Sequence, residues 1–115
     1  MQDTPGPNGV IPLSAAELIE LLQQRWQASY DLQLVQRRGR LYLQVMWGYQ
    51  EQQSFPLSRD DYEHHIAELV LVLNSLGVQD DVRGWLQACT DRPRLGKALS
   101  LPLDLPPGRA SEFVL

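Results

Sequence analysis

The sequence predicts one α+β domain, a small antiparallel sheet packed against about three helices. Two stretches carry apolar residues at three- and four-residue spacing, one opening at Ser14 and one at Ser58. Between them apolar residues alternate, through "LVQRRGRLYLQVMW" from Leu34 to Trp47. Local hairpin pairing of such strands, flanked by amphipathic helices, is the pattern of helices laid on one face of an antiparallel sheet.

Residues 1–12 hold four prolines and glycines in "PGPNG", with Pro12 closing the stretch, and read as a flexible leader. Ser14 then opens a helix over about residues 14–28. Ser14 and Glu17 have the capping-box spacing, and Ala15, Leu18, Ile19, Leu22 and Trp26 form one apolar stripe. The hairpin occupies 31–47. Leu32 and Leu34 share a face of its first strand, and Leu41, Leu43, Val45 and Trp47 share a face of its second. Tyr42, Gln44 and Met46 take the opposite, half-polar face. Arg38-Gly39 is the turn, and because Arg-Gly is a weaker turn signal than Asn-Gly, a loop slightly longer than the minimum is expected.

"EQQSFPL" is a candidate third strand, limited by Pro56. Ser58 caps a second helix whose buried stripe is Tyr62, Ile66, Leu69, Val70 and Leu73, with Gly77 as its terminator. Asp80 or Asp81 is expected to cap a last helix carrying Val82, Trp85, Leu86 and Cys89, stopped by Pro93. Leu99, Leu101, Leu103 and Leu105 then alternate in "ALSLPLDL", either as an edge strand or as an extended arm over the core. The domain thus runs over 13–105, and 106–115 reads as a flexible tail.

The formal net charge is −4 and the pI about 5.0, which excludes a generic polyanion binder and requires any anion site to be a local patch. Nine of the ten cations are arginines, and they cluster. Arg37, Arg38 and Arg40 surround Gly39 at the hairpin tip, with Tyr42 on the adjoining strand. Arg92, Arg94 and Lys97 follow the last helix in "RPRLGK". Arginine's planar fork suits carboxylates and phosphates. If the two clusters meet, they form one basic patch. The alternative is that each is a solvated turn that discourages edge pairing. Acidic residues gather over 60–81, where helix-start preference accounts for most of them.

No catalytic signature is present. The chain lacks G-x-S-x-G, H-E-x-x-H, a Gly-rich dinucleotide loop, GxxxxGK[ST] and Cys-x-x-Cys. His64 and His65 are adjacent on a helix and diverge by about 100°, so they do not converge on a metal. A surface contact of His64 with Glu68 is expected instead. Cys89 is a lone cysteine on an apolar stripe, which excludes an internal disulfide and fits a core thiol. Trp26, Trp47 and Trp85 are assigned to the core. No cofactor and no metal site are expected. The N-terminus lacks the charged and apolar regions of a secretory signal, so a cytoplasmic location is expected.

The blocks "RWQASYDLQLVQRRGRLYLQVMW", "QQSFPLS" and "RPRLGKALSLPLDL" resemble an uncharacterised family of small cyanobacterial and chloroplast proteins, a domain of unknown function. The resemblance covers about residues 14–105. It implies a small α+β domain in a cyanobacterium-like setting and brings no reaction, cofactor or catalytic residue. The expectation is therefore a non-catalytic interaction or assembly module in a photosynthetic context. Its surface would be Arg37, Arg38, Arg40, Tyr42, Arg92, Arg94 and Lys97, and its partner a protein with an acidic face. RNA binding through the same patch is the alternative, followed by an unrecognised enzyme.

Overall fold

The computed structural model describes residues 11–104. The elements run α1 (Ala15–Trp26), β1 (Tyr30–Arg37), β2 (Arg40–Tyr49), α2 (Arg59–Leu76), α3 (Gln79–Ala88) and β3 (Leu99–Pro102). The strands form one antiparallel sheet in the order β1-β2-β3. The α+β class and the hairpin stand as the sequence predicts.

Each helix begins and ends for a local reason. Ser14 Oγ accepts the Glu17 amide at 3.0 Å, and Ser58 Oγ accepts the Asp61 amide at 3.1 Å, satisfying amides that have no partner within the helix. At the first cap only half of the capping box forms, because the Glu17 carboxylate turns away to Arg83. Gly77 ends α2 at φ 75, its amide bonded to Asn74 O at 3.1 Å. Neither Asp80 nor Asp81 caps α3. Val78, itself buried, occupies the cap position with no side-chain bond, because α3 starts two residues after the Gly77 stop. Asp80 instead reaches Arg83 within the first turn, at 2.8 Å.

The expected stripes are the core. Leu18, Leu22 and Trp26 of α1 meet Tyr62, Ile66, Leu69, Val70 and Leu73 of α2, Val82 and Leu86 of α3, and Leu32, Leu43 and Val45 of the sheet. Removing these side chains from water is the main favourable term in the fold. Trp47 departs from the core assignment, half-buried and outside the core cluster, while Trp85, also half-buried, packs against that cluster. Trp26 is buried, and its indole donates to Asp91 O at 2.8 Å.

The third strand is β3, at the edge beside β2, and not "EQQSFPL". Residues 50–55 fold into turns closed by the Gln52 amide on Tyr49 O at 2.9 Å and the Phe55 amide on Gln52 O at 3.0 Å. Glu51 draws this segment inward, accepting the Ser29 amide at 2.8 Å and the Gln23 side chain at 2.9 Å. "ALSLPLDL" is the edge strand rather than a free arm. Leu101 pairs with Leu43, Leu99 pairs with Val45, and Leu103, just beyond the strand, is buried.

Ile11 and Pro12, the end of the expected leader, offer their carbonyls to Arg83 at 2.8 and 3.0 Å. The rest of the leader, Leu105 and the expected tail 106–115 lie outside the described residues.

Period-two alternation gives the sheet two unlike faces. Leu32, Leu43 and Val45 point to the helices and are fully buried. On the other face Val35, Tyr42, Gln44 and Met46 are half-buried and Gln33, Ser100 and Pro102 exposed, so no described helix covers it.

Candidate functional site

The arginine tip sits at the end of this uncovered face. Arg37 pairs with Arg40, so the loop is the minimum of two residues and not longer as expected. Arg38 at φ 52 and Gly39 at φ 75 both stand in the left-handed region, the requirement of a type I′ turn. Arg38 thus does what asparagine commonly does there, at a cost of about 1 kcal/mol for its Cβ.

Arg37 and Arg40 project with Tyr42, because alternate strand residues share a face. Together with Arg38, Gln44 and Ser100 they line an open concavity of about 430 Å³. Gln44 Nε2 donates to Ser100 Oγ across the β2–β3 ladder at 3.1 Å, which fixes its floor. Arg40 Nη2 reaches Asp104 Oδ1 at 3.2 Å, an ion pair whose members are 52% and 87% exposed. Such a pair contributes little and exchanges readily. Arg37 and Arg38 have no carboxylate within 4.0 Å among the described residues. Like charges facing each other across a hairpin repel, and an anion seated between them relieves that.

Gln44 and Ser100 are absent from the sequence-predicted site. Gln44 shares the period-two face with Tyr42, and Ser100 interrupts the alternating leucines, so both positions carried a signal. Only the β2–β3 register brings them together.

The second cationic cluster does not join the first. Leu99 pairs with Val45 in an antiparallel ladder, so the chain leading back to Lys97 runs past Val45 toward Tyr49, away from Arg40, which opens the other end of β2. Five residue-to-residue steps of strand run from Arg40 to Val45, about 16 Å at the usual rise. Arg92 reaches Trp26 O at 3.3 Å, at the C-terminus of α1. Arg94 and Lys97 bond backbone to backbone around a turn, at 3.1 and 2.7 Å.

The remaining titratable groups are tied into the fold. His65 Nε2 lies 2.8 Å from Leu32 O and 3.4 Å from Asp31 Oδ1, against the outer edge of β1. His64 stands 4.0 Å from Glu68 and is largely exposed. The Arg83 guanidinium, hydrogen-bonded to Glu17 at 2.7 and 3.0 Å, holds that carboxyl below its ordinary range. Burial raises the Tyr62 phenol, whose hydroxyl donates to Tyr30 O at 2.8 Å. Burial also pushes the Glu51 carboxyl up, but its bonds from Ser29 and Gln23 outweigh that and leave it lowered. Cys89 is half-buried at the end of α3, its Sγ 3.7 Å from Asp91 O. Among the described residues no three His, Cys, Asp or Glu side chains are placed to hold a metal ion, and no helix is long and apolar enough to cross a membrane.

None of the curated proteins compared matches the chain. One solved structure does: the solution NMR structure of the Alr2454 protein from Nostoc sp. strain PCC 7120, a cyanobacterium. It is 42% identical, superposes with a TM-score of 0.79, and the match covers 90% of this chain and 98% of that one. A family model matches residues 16–114, reaching into the stretch that composition alone assigns to a tail. The chain therefore belongs to the family described as a domain of unknown function, DUF3067.

Proposed function

We propose that this protein is a non-catalytic binding module that takes an acidic partner protein against the open face of its sheet. One observation carries the reading: Arg37 and Arg38 are unpaired among the described residues and converge with Arg40 and Tyr42 on a concavity that no described helix covers. The net acidic chain concentrates positive charge there, which favours recognition of a local anionic surface over adhesion to any polyanion. Arg92, Arg94 and Lys97 are not part of this surface. The photosynthetic setting rests on the family resemblance and on the cyanobacterial source of the similar structure.

The test is capture from a native cyanobacterial lysate by the tagged protein and by its Arg37→Glu/Arg38→Glu variant, with and without nuclease. A defined set of proteins should survive nuclease and fall at least about tenfold with the variant, while its thermal midpoint stays within a few degrees. Equal capture by the variant reduces the tip to a solvated turn. Tyr42 beside arginines on an open antiparallel sheet also suits stacking of a nucleic-acid base. Recovery that collapses with nuclease and falls steeply with salt would shift the reading to RNA.

A further inference from the structure

The cationic cluster that the sheet face leaves out has its own geometry. Between Arg94 and Lys97 the chain turns back on itself through two backbone hydrogen bonds, at 3.1 and 2.7 Å. At the tip of this turn Leu95 is 87% exposed, the most exposed of the large hydrophobic residues described. Two backbone hydrogen bonds hold this apolar side chain out into solvent. Because the turn is already ordered, little further freedom is lost when the tip is buried in a complex. Arg94 and Lys97 flank it, and neither has a carboxylate within 4.0 Å among the described residues.

Elsewhere on the molecule lies a cleft of complementary character. Its volume is about 560 Å³, and it runs between the first half of α1 and the start of α2. Ala15, Ala16 and Ile19 give it an apolar floor, and Glu20 and Glu63 stand at its rim. Small residues on α1 open the space, since an alanine fills less of it than any longer side chain. Arg59 is also at the rim, but it is engaged by Glu63 at 2.8 Å and lies 3.9 Å from Glu51. Glu20 meets only the Gln24 amide, at 3.3 Å.

We propose that the Leu95 turn of one molecule seats in the Ala15–Ala16–Ile19 cleft of a second copy, with Arg94 and Lys97 set against Glu20, the rim carboxylate with no cation partner among the described residues. The chain thus carries a projecting apolar tip flanked by cations and an apolar cleft whose rim, Glu20, Glu63 and Arg59, keeps one carboxylate beyond the Arg59–Glu63 pair. Tip and cleft are different surfaces, so a one-way contact is heterologous and propagates, whereas a reciprocal exchange of tips about a twofold axis closes as a dimer. The hairpin arginines take no part, so this self-association and the capture of an acidic partner stand or fall separately.

Sedimentation velocity across a concentration series tests it, using Leu95→Asp, which spoils the tip, and Ala16→Arg, which fills the cleft from an exposed helix position. The wild type should associate with rising concentration. Each variant alone should weaken association at least about tenfold, the loss expected of a central contact residue. An equimolar mixture should associate more strongly than either variant alone, because Leu95→Asp keeps an intact cleft and Ala16→Arg an intact tip, one working contact per pair. Circular dichroism verifies that both variants are folded. A wild type that stays monomeric throughout, variants that associate like the wild type, or a mixture that associates no more than either variant alone would each overturn the proposal.

Discussion

Arg38 and Gly39 stand side by side in the left-handed region, at φ 52 and 75, and turn β1 into β2 with nothing between them. Asparagine relieves the Cβ conflict at the first position while keeping the turn type. Arg38→Asn should therefore raise stability by about 0.5–1 kcal/mol. The thermal midpoint should rise by a few degrees. The same variant should capture less of an acidic partner, because it removes one of the two unpaired guanidiniums. Scanning calorimetry and capture on the same preparation check both halves. An unchanged midpoint would show that the turn holds Arg38 without strain.

The outer edge of β1 is guarded by side chains instead of another strand. Tyr62 donates to Tyr30 O, and His65 contacts Leu32 O, each at 2.8 Å. An unguarded edge is a template for pairing with other chains. Tyr62 is fully buried, so Tyr62→Phe leaves the Tyr30 carbonyl without its partner and without water. The expected loss is about 1–2 kcal/mol. It should appear as a lower urea midpoint with an unchanged slope.

These guards were invisible in the sequence, and the reason is general to the site. Helical spacing put Tyr62 on the buried stripe and His65 merely beside His64 on the same helix; their partners lie 32 and 33 residues away. The apolar stripes, the Ser14 and Ser58 caps and the Gly77 stop were legible because each depends on residues within one or two helical turns. The hairpin and its arginine tip were legible for the same reason. The β2–β3 register was not local, so Ser100 could not be placed beside Gln44, nor Lys97 parted from Arg40. "EQQSFPL" misled because its turns are imposed by Glu51 reaching Ser29, a contact that no period in the segment records.

Arg83 joins three parts of the chain, bonding to Glu17 of α1, Asp80 of α3 and the carbonyls of Ile11 and Pro12. The Glu17 carboxyl titrates below its ordinary 4.5 in the folded protein. The unfolded chain therefore binds the proton more readily, and stability must rise with pH through that window. The contribution is complete above 4.5 and is lost as pH falls through the depressed folded value. Glu17→Gln should lower stability at pH 7 and flatten the acid limb, so that the two proteins converge under acid. Urea midpoints taken from pH 7 to pH 3 test this, and parallel curves would refute the linkage.

Two glycines should respond to the same substitution with opposite signs. Gly77 and Gly84 each have open space around an added Cβ, with nothing within 4 Å, so packing does not separate them. Backbone conformation does. Gly77 ends α2 at φ 75, where a Cβ meets the following carbonyl, and Gly77→Ala should cost about 1 kcal/mol. Gly84 lies inside α3, exposed to solvent, where glycine's extra freedom in the unfolded chain weakens the helix. Gly84→Ala should stabilise by about 0.5–1 kcal/mol. Thermal midpoints should therefore fall in the first variant and rise in the second. If both fell, the surface of α3 at residue 84 would have to be packed against something, in solution, that an added methyl displaces.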